Sequence, residues 1–237
     1  MVLVADSACQ LSPEKINELG IEIVEYPMYL NGEPYPVSID MSREEKDTLR
    51  EKLKDKNNNF STSGLREEDL IAAYERHRGE KIISLHQSSS ASTVTMNTIK
   101  KVLAEHPELD VTYVDATFLT AAYSVIVEDT ALAIREGANY DDLLELIERM
   151  KHNALHLGVV YDLFYLHRTG RIGLAKAVLG TAMKILALLS SAEEPGTLKS
   201  IGKAKNYKQV NQRFMKIIRE DLTEKSGTSL HAVISVI

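Results

Sequence analysis

The sequence predicts an α/β protein of two domains, an N-terminal domain built on a parallel sheet and a smaller C-terminal α/β domain.

 Three observations predict this fold class. Short apolar runs end in polar loops at Val2–Ala5, Lys81–Leu85 and Val111–Val114, as buried parallel strands do. Helical patterns separate these runs, which is the order of βαβ units. The pattern changes after residue 156, so we place the domains at 1–156 and 157–237.

Local signals place the elements of the N-terminal domain. Ser12-Pro13 supplies an N-cap and a first helical residue for a helix that ends at Gly20. Asn31-Gly32 predicts a hairpin turn, because both residues tolerate positive φ. Ser42 and Glu45 form a capping box for the next helix. Further helices are predicted around Leu70–Tyr74 and at Val94–Glu105, Phe118–Glu136 and Asp141–Leu155.

The C-terminal domain has a different order of elements. We expect a strand at Leu157–Tyr161, a helix at Leu174–Lys184, a hairpin between Leu186–Ser190 and Thr197–Ile201, a helix at Val210–Thr223 and a strand at Leu230–Ile237. The last strand ends the chain without a polar stop, which would leave a sheet element uncovered. We therefore expect this domain to be incomplete at its end.

Composition excludes several classes of function. The 28 basic and 34 acidic residues give a net charge of −6, which argues against a nucleic-acid partner. No signal-peptide pattern or membrane-spanning apolar run is present, so no integral membrane association is expected. The single cysteine, Cys9, excludes an intrachain disulfide and a cysteine-built metal site. A cytoplasmic protein without a metal or cofactor is the expectation.

Hydroxyl-rich loops are the strongest candidates for a binding site, because the common nucleotide, hydrolase and zinc-protease motifs are missing. The loops are Asp6-Ser7, Ser61-Thr62-Ser63 and Ser88–Thr93, each beside a predicted strand end or helix start. Helix N-termini carry free N–H groups and partial positive charge, so hydroxyls there can complete a cradle for a carboxylate or phosphate. Arg171 could add a guanidinium fork. The same hydroxyls also serve as ordinary N-caps and turn residues.

Histidines allow two further interpretations. His86 could activate Ser89 or Ser92 with Asp115 as the orienting acid, which would make a serine hydrolase. The strained nucleophile turn of such enzymes is missing, and we propose no catalytic residue. His152 and His156 have the spacing of a helical metal pair, but no third ligand is evident, and a surface pair is the simpler interpretation.

The order of these loops resembles the DegV family over nearly the whole chain. Asp6–Leu11 is similar to its D-S-x-x-D-L opening, with Gln10 in place of the second acid. Further similarities are Thr62-Ser63 to T-S-x-P, followed here by Gly64-Leu65; Ser88–Thr93 to S-S-x-L-S-G-T; Val114-Asp115 to V-D-S; and Tyr165–Ile172 to Y-L-x-x-G-G-R-I. The C-terminal H-x-G-P-G segment of the family has no counterpart.

The resemblance implies a two-domain carrier that binds a long-chain fatty acid and uses no cofactor. It maps the carboxylate-binding residues onto Thr62 and Ser92, beside which we place Ser63, Ser89 and Arg171. A separate fatty acid kinase would phosphorylate the bound carboxylate. A diverged module for a smaller anionic metabolite is the alternative, and the hydrolase is a third.

The acyl tail is expected in an apolar tunnel between the two domains. Burial of about 15 methylenes at roughly 0.8 kcal/mol each is worth on the order of 10 kcal/mol, so the tail would supply the affinity and the head group the orientation. Candidate lining residues are Phe118, Leu119, Ile126, Leu163, Ile172, Leu179 and Met183.

Overall fold

The computed structural model describes residues 1–55, 57–161, 185–191 and 199–224. These residues divide into two compact units, 1–148 and 149–224. The helix expected at 174–184, the strand expected at 230–237 and the turn expected at Pro195-Gly196 lie outside the described residues. The domain boundary expected at 156 stays a prediction.

Within the described residues, the elements follow one another in the order that the sequence predicts, with one unexpected strand, β5. Up to α6 the chain forms β1 (Val2–Asp6), a short 3-10 helix (Ser7–Cys9), α1 (Pro13–Leu19), β2 (Glu22–Val24), β3 (Met28–Leu30), β4 (Glu33–Tyr35), α2 (Arg43–Lys54), β5 (Phe60–Thr62), α3 (Glu67–Arg76), β6 (Ile82–His86), α4 (Thr93–Glu105), β7 (Val111–Asp115), α5 (Thr120–Arg135) and α6 (Tyr140–Asn153). After α6 come β8 (Leu157–Val160), β9 (Leu186–Ser190), β10 (Lys199–Ala204) and α7 (Tyr207–Glu224).

A four-stranded parallel sheet forms the centre of the first unit, which confirms the predicted α/β fold. Its strand order is β2-β1-β6-β7, with Val4 opposite Glu22 and Val2 opposite Ile82. The chain runs outward from β1 to β2 and outward in the other direction from β6 to β7. In open parallel sheets, ligands bind beyond the carboxyl ends of the strands at such a point of reversal. The fold therefore directs attention to the ends of β1 and β6.

The core beside this sheet consists of apolar side chains from the strands and from α3 and α4. Tyr74 of α3 and Ile99 of α4 are fully buried and pack with Val4 of β1 and Ile82 of β6. Helix α5 packs against β1 and also against α1. No residue from Thr120 to Ile134 is exposed, as the apolar pattern of α5 predicts. The two central strands, β1 and β6, are thus almost completely buried, and their ends are well positioned to hold a site.

A small antiparallel sheet, in the order β4-β3-β5, carries the hydroxyl-rich loop Ser61-Thr62-Ser63. The hairpin at Asn31-Gly32 is confirmed, with φ of 54° and 89° at the two turn residues. The sequence predicts a loop at Ser61-Thr62-Ser63, but Ser61 and Thr62 belong to β5. It is a strand because the free edge of β3 pairs with it, with Met28 opposite Thr62. That partner lies far away in sequence, so the local pattern gives no sign of it.

The second unit contains an antiparallel sheet in the order β10-β9-β8, with α7 packed on β10. Strands β9 and β10 pair antiparallel, as the sequence predicts. Leu188, Ala204 and Val210 form its buried centre.

The histidine pair is not arranged as the sequence suggests. α6 ends at Asn153, so His152 and His156 do not share a helix face. His156 is only 8% exposed, and its backbone N–H donates to Ser191 Oγ at 2.9 Å. Both the helical metal pair and the surface pair are therefore wrong. Among the described residues, no cluster of three potential metal ligands occurs, and no helix is long and apolar enough to cross a membrane.

Candidate functional site

The buried carboxylate of Asp6 joins the ends of β1 and β6. Its Oδ1 accepts a hydrogen bond from Ala8 N at 3.1 Å, and its Oδ2 accepts from Gln87 N at 3.1 Å. His86 Nδ1 lies 3.1 Å from the same Oδ2. A buried charge is tolerated only when donors surround it. Asp6 thus fixes the start of the serine loop that follows β6.

His86 extends this network into the core, away from the serine loop. With its proton on Nδ1, the ring donates to Asp6, and Nε2 accepts from Ser84 Oγ at 2.7 Å. Ser84 Oγ also lies 2.7 Å from the Tyr74 hydroxyl. His86 and Ser84 are completely buried, so no substrate reaches them.

This network contradicts the hydrolase arrangement considered from the sequence. The acid that orients His86 is Asp6 and not Asp115, and both ring nitrogens are occupied. Neither Ser89 nor Ser92 can receive help from this histidine. The sequence could not show this, because only strand pairing brings β1 beside β6.

Asp115 has a different role at the end of β7. Its Oδ1 accepts from Thr117 N at 2.7 Å, and its Oδ2 accepts from Ser89 N at 3.2 Å. Ser88 N also donates to Phe118 O at 3.0 Å. The loop after β7 therefore holds the first serines of the loop after β6. Asp115 is therefore a turn and loop residue.

The two hydroxyl-rich loops predicted to form one cradle are in contact. Thr95, in the first turn of α4, is the point where they meet. Its Oγ1 accepts from Leu65 N at 3.4 Å and from Ser92 Oγ at 2.8 Å. The segment after β5 therefore lies against the N-terminus of α4.

Gly64 allows this close approach. A Cβ built at Gly64 would lie 2.7 Å from Val94 Cγ1 and 3.2 Å from Thr95 N. Ordinary side chains do not fit at such distances. The close contact between this loop and α4 therefore requires glycine at position 64.

The N-terminus of α4 retains its capacity to bind an anion. Ser92 is the N-cap residue, but its side chain forms no capping bond to the helix backbone; its hydroxyl donates to Thr95 Oγ1. The first N–H groups of a helix need acceptors from outside it. Together with the partial positive charge of the helix end, they favour a carboxylate or phosphate.

Tyr26 is a member of this cluster that the sequence analysis missed. Its N–H donates to Ser7 Oγ at 3.1 Å, and its hydroxyl oxygen accepts from Thr95 Oγ1 at 3.2 Å. The neighbouring Pro27 O accepts from Ser63 N at 3.3 Å. Burial, followed by the nearby charge of Asp6, raises the pKa of the Tyr26 phenol well above its ordinary value. The local sequence shows Tyr26 only as part of a hairpin strand, which gives no signal of this role.

The relationship to known proteins follows from the whole sequence. The DegV family model matches residues 1–235, which is nearly the full chain. The chain belongs to the DegV family.

Two curated DegV domain-containing proteins illustrate the distance to other DegV members. One, from Halalkalibacterium halodurans, is 26% identical to this chain over 98% of this chain and 82% of its own length. Another, from Clostridium acetobutylicum, is 27% identical over 95% of this chain and 79% of its own length.

Solved DegV structures share the fold. One from Thermus thermophilus, described as a fatty-acid-binding DegV family protein, has a TM-score of 0.77 and 26% identity, over 93% of this chain and 77% of that one. DegV from Bacillus subtilis, described as a fatty acid binding protein, has a TM-score of 0.78 and 22% identity, over 94% of this chain and 78% of that one. This second similarity concerns the fold alone.

Leu65 is an informative departure from the T-S-x-P pattern of the DegV family. It stands at the proline position, and proline has no N–H to donate. A proline at position 65 could not form the hydrogen bond from Leu65 N to Thr95 Oγ1. This contact between the two loops therefore requires a residue other than proline at position 65.

The remaining predicted site residues differ in their surroundings. Thr62 and Ser63 are exposed, and Ser63 Oγ donates to Gly64 O at 2.9 Å. Ser89 is half-buried. Of the proposed tail-lining residues, Phe118 and Ile126 are each 1% exposed and Leu119 is half-buried. Outside the described residues lie Arg171, Leu163, Ile172, Leu179 and Met183.

Proposed function

We propose that this DegV protein binds a long-chain fatty acid and holds its carboxylate at the N-terminus of α4. The observation that carries the proposal is the contact between the segment after β5 and the first turn of α4. It brings the loop of Thr62 to the loop of Ser92 through Thr95. These are the two loops to which the resemblance assigns the carboxylate.

The carboxylate needs several donors, because its desolvation otherwise cancels much of what tail burial contributes. The hydroxyls of Ser92 and Thr62 and the first N–H groups of α4 can supply them. Ser63 and Ser89 lie in the same two loops, and Arg171 would add a positive charge. The head group thus sets the orientation of the ligand.

The tail supplies most of the affinity. At roughly 0.8 kcal/mol for each buried methylene, a chain of about 15 contributes on the order of 10 kcal/mol. Among the three described candidates, Leu119 is half-buried, so part of its side chain is available to contact an acyl chain. Phe118 and Ile126 are already buried by other protein atoms. The tunnel itself stays a prediction.

A carrier role completes the proposal. The bound carboxylate would be presented to a separate fatty acid kinase, and this chain would perform no catalysis itself. The cytoplasmic location expected from the sequence stays a prediction. A cradle of this kind would also accept a smaller anion, which the experiment below distinguishes.

Replacement of both hydroxyls tests the proposal. Thr62→Ala with Ser92→Ala should retain the fold and lose most of the long-chain fatty acid that copurifies with the wild-type protein, measured by native mass spectrometry. Ser61→Ala with Thr98→Ala is the matched control, since it removes one hydroxyl from β5 and one from α4, and it should retain the lipid. Undiminished lipid in the first variant contradicts the head-group assignment. A small anion in place of lipid in the wild type contradicts the fatty acid.

A further inference from the structure

We propose that Asn31 is a site of spontaneous deamidation, and that its products loosen the strand that carries Thr62. Asn31-Gly32 is the only asparagine–glycine pair in the sequence. It forms the turn between β3 and β4, and the proposed function makes no use of it. The inference goes beyond that function, because it concerns covalent chemistry of the turn itself.

The reaction needs water as its only co-reactant. The backbone nitrogen of Gly32 attacks the side-chain Cγ of Asn31, and a cyclic succinimide forms. The new N–Cγ bond replaces the bond from Cγ to Nδ2. Nδ2 leaves as ammonia, together with the proton that the Gly32 nitrogen gives up. Water then opens the ring at either carbonyl, so that residue 31 becomes aspartate or isoaspartate.

The attacking nitrogen is accessible in the folded protein. Asn31 and Gly32 are both exposed. Gly32 N donates no hydrogen bond within the described part of the chain, and a Cβ built at Gly32 would have no atom within 4 Å. Glycine also brings no side chain of its own that would hinder closure of the ring. Neither a bond nor crowding therefore protects this nitrogen.

The side chain of Asn31 is held in a way that activates its carbonyl group. Its Oδ1 accepts from Asn59 N at 2.8 Å, and its Nδ2 donates to Asn58 Oδ1 at 3.4 Å. Negative charge develops on Oδ1 when Gly32 N attacks Cγ. A backbone N–H at this distance stabilises such an oxyanion. The fold thus supplies a donor that the isolated hairpin peptide lacks.

The same side chain links the β3–β4 turn to the residue before β5. Asn31 N also donates to Asn59 O at 2.8 Å, so two hydrogen bonds join these residues in opposite directions. Aspartate at position 31 lacks the Nδ2 donor and places a carboxylate oxygen against Asn58 Oδ1. Isoaspartate routes the backbone through the side-chain methylene and cannot keep the tight turn. Both products therefore weaken the link that holds β5, and with it Thr62, beside β3.

Incubation of the folded wild-type protein at mildly alkaline pH tests the site, because the Gly32 nitrogen must lose its proton. Peptide mapping by mass spectrometry should show deamidation at Asn31, with isoaspartate identified by labelling with an isoaspartyl methyltransferase. The rate at Asn31 should exceed that at Asn57, Asn58 or Asn59 by at least about tenfold, a barrier difference of about 1.4 kcal/mol. None of these three controls precedes a glycine.

Hydrogen exchange tests the consequence for β5. The modified protein, separated from the unmodified protein by ion exchange, should exchange its β5 amides faster, because the link to the turn is weakened. The amides of β6, a buried strand of the other sheet, are the control and should exchange at an unchanged rate.

Three results overturn the proposal. If Asn31 stays intact in the folded protein while a synthetic peptide of the hairpin deamidates, the fold protects the turn. If Asn31 and the three control asparagines react at equal rates, the turn has no special reactivity. If Asn31 reacts and the β5 amides exchange as in unmodified protein, the side chain of Asn31 does not hold β5.

Discussion

The contact between Gly64 and the start of α4 can be tested by adding one methyl group. Gly64→Ala would place a Cβ 2.7 Å from Val94 Cγ1 and 3.2 Å from Thr95 N. An ordinary contact needs about 3.5 Å or more. The Val94 side chain is 63% exposed and can turn aside, but the backbone nitrogen cannot. The loop must therefore move away from the helix.

The cost follows from two effects. Overpacking of this kind costs about 1–3 kcal/mol. The bond from Leu65 N to Thr95 Oγ1 is already 3.4 Å long, so displacement of the loop would break it, at about 1 kcal/mol. We expect Gly64→Ala to lower the free energy of unfolding by about 2–4 kcal/mol.

Urea denaturation measures this change, and palmitate titration should show about a tenfold weaker affinity because the two loops separate. Gly64→Ala with Val94→Ala removes the shortest contact and should recover part of the stability. Gly158→Ala is the matched control, since its Cβ would meet Leu189 Cβ at an ordinary 3.7 Å. Wild-type stability and affinity in Gly64→Ala would refute the idea that the two loops meet at Thr95.

Two further predictions concern buried ionisable groups. Burial lowers the pKa of His156 from 6.5 to about 4, so the unfolded chain takes up a proton that the folded state resists. The free energy of unfolding should therefore fall by about 3 kcal/mol as the pH drops from 6.5 to 4. His156→Gln should remove this part of the pH dependence, measured by urea denaturation at several pH values. If the free energy of unfolding of His156→Gln depends on pH as that of the wild type does, the prediction is wrong. Asp6→Asn leaves the Gln87 N–H without its carboxylate acceptor and should cost about 2–4 kcal/mol. The exposed Asp40→Asn is its control, and equal effects of the two changes on urea midpoints would show that the buried network contributes little.

Local chemistry explains why so many elements could be predicted. The capping box of Ser42 and Glu45 is present in the structure, as are the N-cap at Ser12 and the left-handed stop at Gly20. Each of these signals involves residues within a few positions of one another. Such contacts exist in any conformation that forms the helix, so the sequence alone reveals them.

The candidate site could be predicted only in part. Hydroxyls beside a helix start indicated an anion cradle, and the two loops do meet at α4. The sequence could not show that His86 faces Asp6, that β5 pairs with β3, or that Tyr26 reaches Thr95. Each of these contacts joins residues that are far apart in the chain and depends on strand order.

The sequence by itself determined the succession of strands and helices, the loops that carry hydroxyls, and the family resemblance over nearly the whole chain. The tertiary structure alone decided which of those loops meet, because only the pairing of β1 with β6 brings Asp6 to His86 and Gln87. Hydrogen-bond partners depend on distances of about 3 Å. Such distances between remote residues are set by packing of the whole unit, and no local pattern records them.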